Sequence, residues 1–330
     1  MKGVAVFIGL LLAAVVPAAA QDRHVAVIVG LGGEPEHAET FRRWAGTLYD
    51  HATGPLGIPR ERVLYLLEDP QQDAGRATGR STKEEIEKGL ARIAAAADAD
   101  DIVFIVLIGH GTSDGKVTKF NLPGPDMTPE DFGKLLRTFR TKNIVFVNTA
   151  SASGPFVEAL SGVARVVVTA TRSGAEKFAT LFGGYFVDAL ASDSADADKN
   201  KQVSVLEAFN AARLGVARAY EQRGLMITEK AVLDDNGDGE GSLEPAVNGK
   251  DGPVAAVLSL GAPTSALALP DDPQLRKLYE ERRALEQRAE SLKLLKGSMP
   301  PAQYAQELEK VLTELARKSQ EIRALEGGKK

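Results

Sequence analysis

Two kinds of pattern alternate along the chain. Short runs in which nearly every position is apolar stand at 24–30 (HVAVIVG), 62–68 (RVLYLLE), 101–111 (DIVFIVLIGHG), 143–149 (NIVFVNT), 165–171 (RVVVTAT) and 254–261 (VAAVLSLG). Runs this short, rich in β-branched residues and apolar on both alternating faces, predict strands of a parallel sheet that is covered on both sides. Between them apolar residues recur every three or four positions, which predicts helices at about 36–51, 81–97, 177–191 and 204–222. Ser81, with Glu84 three positions on, reads as the N-cap and capping box of the second of these. Alternating β and α give the fold class: α/β, a largely parallel sheet with helices on both faces.

Both ends of the chain break this pattern. At the front, Lys2 precedes an apolar run over 4–16, then Pro17 and three alanines ending at Ala20. That order predicts a secretory signal over 1–20, hence an exported protein, periplasmic or extracellular. The run is shorter than the roughly 20 residues needed to span a bilayer, so no membrane span is expected after cleavage. At the back, Pro263, Pro270 and Pro273 punctuate a linker over 262–272. Beyond it Leu275, Leu278, Leu285 and Leu292, then Tyr304, Leu308, Val311, Leu315, Ile322 and Leu325, fall in heptad spacing on either side of a break at Gly297 to Pro300. The spacing predicts a two-helix hairpin or short coiled coil over 273–326, closing on itself or pairing two chains as a homodimer. The α/β domain is thereby assigned to 21–261.

Composition then narrows the chemistry. Forty Lys+Arg against 45 Asp+Glu give a net charge of −5, and no basic stripe interrupts the acidic balance, so nucleic acid is not an expected partner. The chain has no cysteine, which removes disulfides, thiolate metal sites and thiol nucleophiles together. In an open α/β sheet ligands bind beyond the carboxyl ends of the strands. Two strand ends carry candidate chemistry: His110-Gly111 after the third run, and the small-residue stretch from Thr149 to Gly154 after the fourth. An imidazole can serve as base there, and a small-residue loop can hold a nucleophile and offer N–H groups to an oxyanion. A histidine satisfied at a strand end without any catalytic role fits the same residues.

An apolar strand ending in His-Gly, followed by one ending in Asp-Ala-Cys-x-Ser-Gly, resembles the caspase-like cysteine peptidases, in particular their legumain-type branch. Here VFIVLIGHGT ends on His110 and Gly111, and IVFVNTASASG keeps Ala150, Ser153 and Gly154 in register, with Ser151 where the family carries its cysteine and Thr149 where many members are acidic. RVVVTATRSG and the helix beginning FGGYFVDAL are similar to the continuation of that sheet, so the resemblance spans roughly 25–260. It implies a caspase-like fold, with His110 and Ser151 at the catalytic positions. The departure is decisive for activity, because a hydroxyl needs a well-oriented base where a thiolate needs little help. Asp114 and Asp126 are the nearest acids along the chain, in loops the sequence does not place. The expectation is a pseudopeptidase that binds a peptide or protein segment. The alternatives are a serine-dependent hydrolase using Ser151 with His110, and a scaffold acting through its C-terminal helices.

Two acidic stretches suggest calcium. Asp196, Asp198, Asn200, Gln202 (through its carbonyl), Ser204 and Glu207 occupy positions 1, 3, 5, 7, 9 and 12 of an EF-hand-like loop, with Lys201 in place of the glycine at position 6. Asp234, Asn236 and Asp238 form a second stretch of the type Asp-x-Asn-x-Asp-Gly, but its twelfth position is Pro245. The competing reading for both is an acidic turn whose side chains bond their own backbone.

Overall fold

The structure is a computed structural model that describes residues 21–261, scattered positions between 272 and 292, and 300–327. The predicted leader and most of the linker lie outside the described residues, as does the break at Gly297 to Met299.

Nine strands and six helices make up the 21–261 region. In chain order they are β1 (Arg23–Val29), α1 (Pro35–Thr53), β2 (Val63–Leu67), β3 (Gly79–Arg80), α2 (Lys83–Ala96), β4 (Ile102–Ile108), β5 (Gly111–Ser113), β6 (Thr118–Phe120), α3 (Pro129–Leu136), β7 (Ile144–Asn148), α4 (Phe156–Leu160), β8 (Arg165–Thr169), α5 (Phe182–Leu190), α6 (Val205–Gln222) and β9 (Val232–Asp234). Seven strands form one sheet in the order β3-β2-β1-β4-β7-β8-β9, while β5 and β6 form a separate antiparallel hairpin. All pairs in the large sheet are parallel except β8 with β9. The protein is therefore α/β with a mostly parallel sheet, as expected from the alternating runs.

The all-apolar strands divide cleanly between two layers. Val25, Val27, Phe104, Val106, Val145 and Val147 pack on one face against Phe41 and Leu48 of α1, Phe182 and Phe186 of α5 and Phe209 of α6. Their neighbours Ala26, Ile28, Val103, Ile105 and Phe146 point to the other face and meet Ile86 and Leu90 of α2, Phe132 of α3 and Phe156 of α4. The two-residue period of a strand explains why successive positions through the middle of these runs are apolar: each face has its own helix layer to meet. Fully burying each such side chain contributes about 1.5–3 kcal/mol.

Three expectations are corrected at this level. The run at 254–261 is not a strand: its backbone folds into turns, with Ala256 N–H on the Gly252 carbonyl and Leu258 N–H on the Val254 carbonyl, while Ala255, Leu258 and Leu260 bury their side chains. An apolar run reports burial, and a short buried run need not be extended. The sheet ends instead on β9, antiparallel to β8. In the second helix the N-cap is Thr82, whose hydroxyl accepts from Glu85 N–H at 3.4 Å, one residue later than expected. The helix expected from 177 begins only at Phe182, where the carboxylate of Glu229 accepts the N–H groups of Leu181 and Phe182. A side chain from a distant segment supplies that cap, so nothing local in the sequence marks it.

The C-terminal helix spans Pro301–Gly327, and the described residues between Gln274 and Leu292 are helical or lead into helix. Ala289, Leu292 and Val311 bury against one another, with Arg288 on Glu307 at 3.3 Å and Glu281 paired with Lys318. Residue numbers that rise on one segment as they fall on the other make the two described segments antiparallel.

Candidate functional site

The sheet reverses its winding between β1 and β4: β2 and β3 extend to one side of β1, and β7, β8 and β9 to the other side of β4. This is the switch point at which an open α/β sheet leaves a crevice. Both strands leave it through glycines that the crowding requires. A Cβ on Gly30 would sit 2.4 Å from the Asn121 carbonyl oxygen, and one on Gly109 would sit 3.2 Å from the backbone of Gly30.

His110 stands in this gap, half-buried. Its Nε2 lies 3.2 Å from the Gly32 carbonyl oxygen beyond β1. A carbonyl can only accept, so Nε2 carries the proton and Nδ1 keeps its lone pair in the neutral ring. The imidazole meets the rings of His37 and Phe41 edge-on, with centroids 5.0 Å away in both cases. Burial, and then the neighbouring His37, hold its pKa below the ordinary histidine value, against a smaller opposite effect of the Gly32 carbonyl. Among the described residues no carboxylate is hydrogen-bonded to the imidazole. Asp114 accepts from Lys116 and Val117 N–H, and Asp126 from Leu122 N–H, so both acids are engaged in their own loops.

Ser151 lies just past β7, 2% exposed. Its hydroxyl is closed on a single residue: Gly111 N–H donates to Ser151 Oγ at 3.2 Å, and Oγ donates to the Gly111 carbonyl at 3.1 Å. The approach is tight, since a Cβ on Gly111 would fall 2.3 Å from the Ser151 carbonyl oxygen. The structure thus brings the strand ends of His110-Gly111 and Ser151 together, while the hydroxyl proton goes to a peptide oxygen rather than to an imidazole. A serine nucleophile needs a base on its hydroxyl and an oriented group behind that base. Among the described residues the Ser151 hydroxyl bonds only to Gly111, and the His110 ring bonds to the Gly32 carbonyl.

The loop after Ser151 is held by backbone geometry. Ala152 has φ 53, in the left-handed region that an alanine enters only under constraint. Its N–H donates to the Glu176 carbonyl at 2.7 Å, and Ser153 and Thr171 bond through their hydroxyls at 3.1 Å. Thr149 donates to the Leu107 carbonyl at 2.9 Å and is buried beneath α5, where Gly183 and Gly184 leave room for Trp44. None of these anchoring contacts is visible in a motif, because each joins segments far apart in the chain.

Two open cavities flank the loop without including His110 or Ser151. The larger, about 1150 Å3, runs between the β5–β6 hairpin, the start of α3 and the turn at Gly174 to Lys177. Its rim carries Lys116, Lys134, Arg137 and Lys177 against Asp114, Glu130 and Glu158. The smaller, about 620 Å3, lies between Gly154, Arg172 and Ser173 on one side and Gly239 to Gly241 on the other.

The first acidic stretch forms a compact loop leading into α6. Among the described residues, Asp196, Asp198 and Glu207 are the acids or histidines whose ligand atoms gather within 4.8 Å of one another. Lys201, at the position reserved for glycine, has φ 69, so the chain makes the sharp turn without one. Asp196 accepts from Asn200 and Lys201 N–H, and Glu207 from Ala197, Asp198 and Ser204 N–H, as an acidic turn satisfying its own backbone would. Ser204 and Glu207 also form the capping box of α6, and the side chain of Gln202 accepts from Ser259 at 2.6 Å. In the second stretch, Asn236 accepts from Asp238 N–H and Asp238 from Glu240 N–H, both at 2.8 Å, while Asp234 is fully buried.

Residues 81–233, which include both His110 and Ser151, match the Peptidase C13 family, the legumain-type branch of the caspase-like peptidases. Among solved structures the chain is similar to protein GSU0716 from Geobacter sulfurreducens, with 14% identity and a TM-score of 0.42 over 64% of this chain and 92% of that one. No curated protein matches the sequence.

Proposed function

We propose that this chain, which carries a Peptidase C13 region of caspase-like fold with serine in the place of the nucleophilic cysteine, is an exported pseudopeptidase that binds a peptide or protein segment beyond the strand ends. The observation that carries the reading is the closed pair of hydrogen bonds between Ser151 Oγ and the backbone of Gly111. Attack by that hydroxyl would require breaking both bonds in a buried site and finding a base that the site does not aim at it. His110 spends Nε2 on Gly32, so the imidazole is kept as a wall and hydrogen-bonding group of the crevice. The mixed basic and acidic rim of the larger cavity suits an extended segment carrying side chains of both charges. No described helix is long and apolar enough to cross a membrane.

The test is a diverse peptide array probed with wild type and with Ser151→Ala, alongside a fluorophosphonate probe and a cleavage assay on the same peptides. Expected are shared peptide hits in both proteins, no labelling and no cleavage. Cleavage or labelling by wild type that Ser151→Ala and His110→Ala each abolish would establish the serine hydrolase and sink the pseudopeptidase.

A further inference from the structure

Helix α6 stops at a glycine and throws the chain outward. Gly224 takes φ 63, its N–H donates to the Glu221 carbonyl at 2.9 Å, and Leu225 N–H donates back to the Tyr220 carbonyl at 3.0 Å. The three residues that follow the glycine are Leu225, Met226 and Ile227, and they are 58%, 88% and 46% exposed. They do not belong to a frayed end. Thr228, just beyond them, bonds through its hydroxyl to the Tyr220 hydroxyl at 2.8 Å, so both ends of the apolar tripeptide are pinned to the same tyrosine.

A second loop, from Glu176 to Leu181, is stitched to the segment that follows this tripeptide. The Glu176 carboxylate accepts Lys230 N–H at 2.8 Å, and the Glu229 carboxylate accepts Leu181 N–H at 2.8 Å. Phe178, between those two ties, is 71% exposed. Other large apolar side chains exposed among the described residues, such as Val163 and Val247, stand singly along the chain, as on any soluble surface. Four of them on two joined loops call for a partner.

The charges around them say which partner. Lys177, Arg223 and Lys230 flank the apolar residues, all three exposed, and among the described residues none of them has an ion-pair partner. The acids of the same segments are turned inward: Glu176 accepts the N–H groups of Arg172, Ser173 and Lys230, and Glu229 is buried on those of Leu181 and Phe182. Glu221 is the acid of these two loops that stays exposed. Apolar side chains rimmed by unpaired cations suit the headgroup boundary of an anionic bilayer. The shape agrees, because a side chain as exposed as Met226 stands at a tip, which enters a soft phase more readily than it builds the close-packed centre of a protein interface.

We propose that Phe178, Leu225, Met226 and Ile227 insert into an anionic lipid surface, with Lys177, Arg223 and Lys230 on its headgroup phosphates. The attachment is peripheral, and it does not rest on the pseudopeptidase reading. Lys177 also lies on the rim of the larger cavity, so a docked protein would hold that cavity close to the lipid.

The experiment places a reporter at the tip, Met226→Trp in the full chain, and reads its fluorescence over the constant background of Trp44, the one native tryptophan. Vesicles of phosphatidylglycerol with phosphatidylcholine are expected to shift the emission to the blue, and vesicles of phosphatidylcholine alone, or added salt, to shift it far less. Cosedimentation with the anionic vesicles should be weakened at least about tenfold by Met226→Asp and about fivefold by Arg223→Gln, with unchanged melting temperatures because both side chains are exposed. Emission that stays unshifted on anionic vesicles overturns the proposal, as does vesicle binding that Met226→Asp leaves intact. A rise in mass with protein concentration in the absence of lipid, abolished by Met226→Asp, would assign the patch to a second copy of the chain and overturn it equally.

Discussion

Ser151 and Gly111 hold each other by two hydrogen bonds, N–H to Oγ at 3.2 Å and Oγ–H to the carbonyl at 3.1 Å, although 40 residues separate them. The pair joins the end of β7 to the segment that leaves β4. Ser151→Ala removes both bonds and leaves a buried N–H without its acceptor, at an expected loss of about 1–3 kcal/mol. Urea denaturation should show a lower midpoint with an unchanged slope. An unaltered midpoint would mean that the hydroxyl is free to do something else.

His110 is expected to titrate below the ordinary histidine value near 6.5, because burial and then His37 disfavour its charged form. A depressed folded value means that the unfolded chain takes up a proton the folded chain refuses. The contribution of His110 to stability is therefore full above about 6.5 and is lost as pH falls through the folded value. Imidazole NMR titration checks the value directly, and His37→Ala should raise it. A value at or above 6.5 in the folded protein would contradict the geometry.

Glu229 is buried and accepts the N–H groups of Leu181 and Phe182 at the start of α5, together with the Tyr220 hydroxyl at 3.2 Å. Burial raises its pKa, partly offset by those two backbone donors. Glu229→Ala would strand the donors beside the core and is expected to cost about 1–3 kcal/mol. Glu229→Gln keeps an acceptor and should cost less. Thermal melting of the two variants orders them.

Lys201 occupies the left-handed region with φ 69, a conformation that favours glycine by about 1 kcal/mol. Lys201→Gly should raise the melting temperature slightly, because relief of this strain exceeds the added freedom of the unfolded chain. The same variant removes a positive charge next to Asp196. A fall in melting temperature would show that the lysine side chain contributes more than its backbone costs.

The C-terminal helical segments bury Ala289, Leu292 and Val311 against one another and pair Arg288 with Glu307. Glu307→Arg places two like charges at that contact and should loosen the hairpin by about 0.5–1 kcal/mol at low salt, with less effect at high salt. Circular dichroism across a salt series measures this. A change in oligomeric mass by light scattering, instead of in helicity, would place the contact between chains.

The strands were legible because burial on both faces forces an unbroken apolar run, as in Ile102–Ile108. The same signal misleads at 254–261, where Ala255, Leu258 and Leu260 are as buried as strand residues while their backbone groups close turns. The strand ends carrying His110 and Ser151 could be found from the chain alone, since each follows such a run. What Ser151 does there could not, because its partner is a peptide 40 residues upstream. The tie between Asp251 and the second acidic stretch was likewise invisible: it passes through Asp235, which no loop spacing marks.

The tie between Ala152 and the Glu176 carbonyl continues further, since the Glu176 carboxylate accepts Lys230 N–H at 2.8 Å, two residues before β9. A Cβ at Gly154 would lie 2.3 Å from the backbone of Arg172, so the loop has no slack in that direction either. The segment after β7 and the strand that leads into the acidic turn are therefore mechanically one piece. A ligand that shifts either end must move the other or break a bond between them.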